Sequence, residues 1–397
     1  MPDIRNGPHT PMSGAWGTRS ARSSRFSPTS SPPNGDCPAR SGAARRPPRS
    51  RYAVPDSEYD IAVAKFGGSC FLDLADYTAV AGYLSHSVGE RPDRRVVAVV
   101  SAMSGTTGRL LEAARSIDPE LRAQAQDHIL ATGEMVSASF LRAALDARGC
   151  PAVELWAGQN GLGSDGQATR ASIVSMDARP LLDALRHHRV VVVAGGQATD
   201  STGQVTMLGR NSSDLTAVAI AAMLGLDRCE IFSDVPGVFT ADPYIVPAAE
   251  LMPELGYRQC AAMSAAGAKV LHQDSVRLAE THGVRIECRA LTPADAGGAL
   301  VAATGTVVGV GRGRTAVVTR RRLTDGYGLV SVIDADGGAQ TTVVPLPELD
   351  SLANALHARI SGSSTPAARF AGEKRRSSHS DLLTRSGGPH GDGGDRT

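Results

Sequence analysis

The chain has 397 residues with 41 basic and 40 acidic side chains, a formal net charge of +1, and is 42% hydrophobic but only 4% aromatic. A charge this close to zero gives no whole-molecule attraction to nucleic acid, and no apolar run reaches the roughly 18 residues that cross a bilayer, so neither nucleic acid nor a membrane is expected as a partner. Six scattered cysteines, Cys37, Cys70, Cys150, Cys229, Cys260 and Cys288, form no CxxC pair. That spacing argues against a disulfide framework and against a zinc site, and it fits a reducing cytoplasm.

Residues 1–57 hold ten prolines, ten serines and nine arginines. Such a segment buries too little apolar surface to offset chain ordering, so a disordered arm is expected. Its Arg- and Ser-rich, acid-poor make-up is superficially that of a transit peptide, but the prolines would interrupt any amphipathic helix. From residue 58 the pattern becomes globular. Apolar runs at 61–66, 96–100, 153–157, 190–194, 230–233 and 284–288 alternate with longer helical periods, the rhythm of an α/β domain. RVVAVVSAM and VVVVAGG are continuous rather than alternating, as strands covered on both faces in a mostly parallel sheet require. Strand-like pieces at 306–310, 316–319 and 328–333, then a helical run at 346–360, predict a small α+β appendage. Residues 361–397, rich in Gly, Ser, Arg and His, predict a disordered tail.

Ligands of open parallel sheets bind outside the carboxyl ends of the strands. That rule gathers residues 65–69, 101–108, 195–197 and 233–237 along one edge. VAKFGGS (63–69) is a strand running into a glycine turn whose amides can approach an anion, with Lys65 supplying charge. LGRNSSDLTA (208–217) sets Arg210, Ser212, Ser213 and Asp214 on a turn before an Ala-rich helix at 215–224, whose first amides favour an anion. Read singly, these features have ordinary structural explanations: Lys65 as a surface lysine, Arg210 with Asp214 as an i,i+4 ion pair, FGGS as a strand-ending turn. Cys70 has no base beside it in sequence and is expected to be packed rather than nucleophilic. There is no Walker A loop, no kinase-type HRD segment and no recognisable Ser-His-Asp arrangement.

With VVSAMSGTTGRL (99–110), ATGE (131–134), FSDVPGVFTADP (232–243) and GAKVLH (267–272), the two opening motifs occur in the order and at the spacings of one family. Over about residues 61–300 the chain resembles the aspartokinases of the amino acid kinase family. The resemblance implies a three-layer αβα sandwich with a mostly parallel central sheet over 58–302, followed at 303–360 by a truncated ACT-like region. It also implies ATP with Mg²⁺ as the phosphoryl source and L-aspartate or an analogue as acceptor, giving 4-phospho-L-aspartate. Lys65, Asp214 and Lys269 match catalytic positions. Gly67, Gly68, Ser69, Ser233, Asp234, Phe239, Asp242 and Lys269 match the nucleotide-binding positions. Ser101, Thr107, Glu134, Arg210 and Ser213 match those that hold the amino acid, and no residue is assigned to a metal.

The implied chemistry is self-consistent. A carboxylate with a pKa near 4 is ionised at neutral pH and needs no general base to attack a phosphoryl group, so positioning and charge suffice. Arg210 can clamp the acceptor's carboxylate bidentately and Glu134 can pair with its α-ammonium group. Four departures from the family pattern stand out. Asn211 and Ser212 replace two turn glycines, which is expected to alter the turn. Gly196 replaces an aromatic, which would admit a larger acceptor. Tyr244 stands where an arginine is expected near the nucleotide phosphates, and Gln273 replaces a proline. About sixty patterned residues after the catalytic region leave room for one ACT module, so feedback by lysine or threonine is not expected and a homodimer through that module is left open. Two other readings remain: a kinase of a different acidic amino acid, and a non-catalytic nucleotide- or amino-acid-binding paralogue.

Overall fold

The computed structural model describes residues 59–268, 270–293, 300–303, 305–311 and 315–362. The expected arm at 1–57, nearly all of the expected tail and Lys269 lie outside the described residues. The first half runs β1 (Asp60–Phe66), α1 (Leu74–Gly89), β2 (Arg94–Val100), α2 (Thr106–Ile117), α3 (Ala123–Asp146), β3 (Ala152–Leu155), β4 (Leu162–Ser164), β5 (Ile173–Met176), α4 (Arg179–His187), β6 (Val190–Ala194) and β7 (Gln197–Thr199). Next come β8 (Val205–Met207), α5 (Ser213–Met223), β9 (Arg228–Ser233), β10 (Glu254–Gly256), α6 (Tyr257–Ala265), α7 (Gln273–His282), β11 (Arg285–Pro293), β12 (Leu300–Ala302) and β13 (Thr306–Gly309). The described part closes with β14 (Val317–Arg322), β15 (Tyr327–Ile333), β16 (Ala339–Pro345) and α8 (Leu349–Ser361).

The large sheet has the order β10-β13-β11-β9-β1-β2-β6-β3, with β12 added to β11. Its centre, from β11 through β9, β1, β2 and β6 to β3, is parallel throughout. Continuous apolar strands suit this because both faces are covered. In β2, Val97 and Val99 join one buried cluster while Val96, Ala98 and Val100 join the other. Helices α1 and α3 cover the second face through Tyr77, Leu84, Leu141 and Leu145. On the first face lie α4 to α7, through Leu181, Ile220, Met263 and Val276. Helix α5 is apolar or small on nearly every side, and each of its residues is buried, the composition a fully enclosed helix needs. Three layers result, the αβα sandwich that the sequence led us to expect.

Some boundaries move. The strand expected at 153–157 is Ala152–Leu155, and the helix expected from 215 starts at Ser213. The piece at 306–310 is β13, which pairs antiparallel with β11 in the large sheet. The separate C-terminal unit therefore starts at β14, where β14, β15 and β16 form an antiparallel sheet. Its apolar face, with α8, closes over Ala241 and Val246 of the segment between β9 and β10. Buried Thr240 Oγ1 lies 2.8 Å from His357 Nε2 in this contact, and Val318 N donates to Thr240 O at 2.8 Å. A four-stranded mixed sheet, β5-β4-β7-β8, stands apart from both. No helix among the described residues is long and apolar enough to cross a membrane.

Candidate active site

Strand order reverses at β1, whose neighbours are β2, next in the chain, and β9, far along it. Phe66, Val100, Ala194 and Phe232 are level in the register, so the four strands end together. Backbone bonds carry that alignment one residue further, from Gly67 N to Phe232 O, Ser101 N to Phe66 O and Gly195 N to Val100 O, at 2.9–3.1 Å.

Lys65 approaches this edge from the end of β1, and its Nζ lies 2.7 Å from Asp214 Oδ1, with 12% and 9% of the two side chains exposed. Burial pushes the lysine pKa down, but the charge and hydrogen bond of Asp214 outweigh it and hold the ammonium protonated above its usual range. Asp214 is in the first turn of α5, and its other oxygen accepts His272 N at 3.2 Å, just ahead of α7. Oδ1 has no further hydrogen-bond partner among the described residues. The i,i+4 pairing of Arg210 with Asp214 does not form: the aspartate is committed to Lys65, and Arg210 is exposed.

The glycine turn is close-packed where an anion would be cradled. A Cβ on Gly68 would lie 2.9 Å from Ala102 O, and one on Gly67 would lie 3.2 Å from Lys65 Nζ. Ser69 Oγ accepts Asp234 N at 3.2 Å, joining the turn to the end of β9. Ser233 folds onto its own loop through Val235. Cys70 is packed, its thiol against Phe232 O at 3.5 Å, and burial pushes its pKa up to about 12.

Glu134 sits on α3 with 8% exposure. Its Oε1 accepts Ala102 N at 3.4 Å, while Oε2 is buried without a hydrogen-bond partner among the described residues. Burial with little compensation raises its pKa to about 7. An unpartnered buried carboxylate oxygen is costly unless a donor arrives to meet it. Ser213 is buried at the first position of α5, and Gly195 is what lets the end of β6 approach it. A Cβ at 195 would lie 2.6 Å from both Cβ and Oγ of Ser213 and 3.0 Å from Val100 O. Gly195→Ala is therefore expected to cost about 1–3 kcal/mol by overpacking, read as a lowered urea midpoint at unchanged slope.

The turn that carries Asn211 and Ser212 uses left-handed backbone. Asn211 adopts φ +60 and Gly209 φ +104, and Asn is the side chain that best tolerates the left-handed region. Ser212 turns its hydroxyl inward to Gly209 O at 2.7 Å. Gly196 has φ +74, and a Cβ there would meet Ser212 Oγ at 3.1 Å.

Not all expected residues converge. Thr107 is exposed on the first turn of α2. Phe239 bridges to Leu251. Asp242 holds Tyr244 N at 3.0 Å and faces Arg320 of β14 at 3.9 Å. Lys269 is outside the described residues. Three buried polar residues were not anticipated as hydrogen-bonding groups: Asp127, which lies in no motif, Gln197 of the 195–197 segment, and Thr216 of the 208–217 motif, whose Oγ1 accepts Gly196 N at 2.9 Å. Asp127, Ala131 and Glu134 share one face of α3 by helical spacing, the one sequence signal that pointed to the first of them.

Fold and strand ends together define an α/β protein of the class that binds its ligands at a topological switch point, here around a buried lysine–aspartate pair and a glycine turn. The chain belongs to the amino acid kinase family, whose family profile matches residues 60–289, more than half of its length. Among curated proteins it is similar to an aspartokinase of Thermus thermophilus, 38% identical over 229 residues, covering 58% of this chain and 56% of that one. It is 36% identical over 236 residues to aspartokinase 2 of Bacillus subtilis strain 168, covering 59% of this chain and 57% of that protein. The chain thus spans a little over half the length of the curated relatives it matches. Among solved structures, aspartate kinase from Synechocystis aligns with TM-score 0.54 and 27% identity over 79% of this chain and 57% of that one. E. coli aspartokinase III, solved in complex with aspartate and ADP, aligns with TM-score 0.55 and 22% identity over 68% and 69% of the two chains, a likeness of fold.

Proposed function

We propose that the protein is an ATP-dependent aspartate kinase that transfers a phosphoryl group to the side-chain carboxylate of L-aspartate. The buried Lys65–Asp214 ion pair at the glycine turn is the observation that carries this reading. In this reading the Lys65 ammonium, held protonated by Asp214, would meet the negative charge that develops on the transferred group. The aspartokinases among its relatives, and the aspartate and ADP bound in one structural neighbour, support the same substrates.

In this reading the acceptor carboxylate attacks phosphorus as the bond to the departing ADP oxygen breaks, and no proton needs to be removed. Lys65 steadies the oxygens of the transferred group, and Gly67, Gly68 and Ser69 offer close backbone approach. Asp214 keeps Lys65 charged and aimed, and Lys269 adds a second cation. Glu134 meets the α-ammonium group of the acceptor and Arg210 its carboxylate, with Ser101 and Ser213 on the same side. Ser233 and Asp234, at the end of β9, serve the nucleotide. Mg²⁺ typically keeps several waters and binds through phosphate oxygens. Among the described residues there is no group of three acidic, His or Cys side chains able to hold a metal.

We assign the segment from β1 through β13 to the catalytic domain, seven residues beyond the boundary at 302 expected from the sequence, and the unit from β14 to α8 to an ACT-like module. The five described cysteines are free thiols, in keeping with a cytoplasmic setting.

The test is an assay with ATP, Mg²⁺, L-aspartate and hydroxylamine, which traps the acyl phosphate as a ferric-complexing hydroxamate. Hydroxamate that requires both ATP and aspartate is the expected result. ATP binding without hydroxamate would defeat the proposal and leave a binding paralogue or a different acidic acceptor; the larger acceptor expected from Gly196 gains no space there, since a Cβ would already meet Ser212 Oγ at 3.1 Å.

A further inference from the structure

Resting on the substrate assignment above, we propose that Asp127, which touches neither expected substrate, is the positioning residue that fixes the Arg210 loop relative to Glu134. Its carboxylate is completely buried and is consumed by backbone donors from two other segments. Thr169 N donates to both oxygens at 2.9 Å, and Met207 N donates to Oδ2 at 3.0 Å. Met207 is three residues before Arg210.

The base of that loop is held on every side. Met207 O accepts Ala171 N at 3.0 Å, and Leu208 N donates to Gly196 O at 2.8 Å. Thr169 is one of two described non-glycine residues with positive φ, at +66. A conformation of this kind persists where surrounding bonds over-determine it, and the Asp127 carboxylate is the group its amide meets. On the same face of α3, Ala131 O accepts Gln197 Nε2 at 2.8 Å. Glu134 is one turn further along. A single helix therefore carries the carboxylate for the substrate's cationic end and, two turns earlier, the anchor of the loop that carries the guanidinium for its anionic end.

The consequence is a coupling of two recognition groups through one rigid element. An asparagine at 127 keeps the shape but must present an amide N–H toward one of the backbone donors, so the loop should shift while the Lys65–Asp214 pair, on other elements, stays in place. Small displacements of a positioned group are expensive, about a hundredfold for 1 Å.

The experiment is steady-state kinetics of the full chain, wild type against Asp127→Asn and Asp127→Glu, in the hydroxamate assay, with aspartate and ATP varied separately. A KM for aspartate raised about tenfold or more, with kcat and the KM for ATP within about threefold, is expected for Asp127→Asn. Glutamate keeps the acceptor charge and should recover part of the loss. KM does not depend on the fraction of active protein, so partial misfolding does not imitate this pattern. An unchanged KM for aspartate, an equal change in both KM values, or failure of both variants to fold would each overturn the proposal, the last by making Asp127 a folding residue. Wild-type protein that makes no hydroxamate would instead be a failure of the substrate assignment.

Discussion

Lys65→Ala is expected to lower kcat in the hydroxamate assay by about a thousandfold, since charge stabilisation of a transferring group is the largest single contribution such sites make. The same change strands Asp214. Among the described residues its Oδ1 has no hydrogen-bond partner beyond the lysine, and breaking a buried ion pair by deleting one member costs about 3–5 kcal/mol. Activity and stability should therefore fall together in the single variant. They should separate in Lys65→Met combined with Asp214→Asn, where the buried charge is gone: the denaturation midpoint should recover toward wild type while turnover stays lost. Equal stability of the single and double variants would show that the pair carries no coupling. Lys65→Arg is not expected to rescue turnover, because a planar guanidinium with donors in a fixed fork does not replace the compact ammonium 2.7 Å from Asp214 Oδ1.

Glu134→Gln should raise the KM for aspartate about a hundredfold, the loss of a buried charge-assisted bond to an ammonium group. The pH dependence discriminates this from a steric effect. In the empty site Glu134 holds its proton up to about pH 7 because burial disfavours the charge. A bound ammonium favours the ionised form, so substrate binding should release a proton near neutrality, and aspartate affinity in the wild type should weaken as pH falls below 7. Glutamine should abolish that slope. Stability has the opposite sense. A carboxyl whose folded pKa lies above its unfolded value binds more protons in the folded state, so stability is lost as pH rises from about 4.5 to 7. Glu134→Gln should therefore be more stable than wild type at pH 8 by an amount on the order of 2 kcal/mol, with the difference vanishing toward about pH 4. A wild-type KM independent of pH between about 6 and 8 would remove Glu134 from the ammonium site.

Much of this was written locally. A strand buried on both faces needs only consecutive apolar residues, so β1, β2, β6 and β9 are visible as runs, and a turn that admits a close anion needs glycine, so Gly67 and Gly68 mark themselves. The family motifs add which strand ends carry polar groups. Even the substitution at 211 is readable, because Asn is the natural second choice where glycine's left-handed backbone is required, and the loop keeps φ +60 there.

Other features depend on contacts across large separations in sequence. Nothing near Asp214 indicates that it pairs with Lys65 of a distant strand rather than with Arg210 one helical turn away. That choice follows from β1 and α5 packing together at the switch point. Strand β13 reads like the start of a C-terminal module, yet it joins the large sheet because its unsatisfied backbone finds β11.

Asp127 belongs to no motif, and the bonds that Asp127 and Gln197 make leave no trace in sequence, since their partners are backbone amides and carbonyls, which every residue has and no sequence distinguishes. The local sequence thus determined which elements form and which of their ends can meet an anion, because propensity, capping and burial period act over a few residues. Only the tertiary structure decided which charges pair, which carboxylate is left waiting for a cation and which buried group holds the loop between them, because those depend on desolvation and distance among segments far apart in the chain.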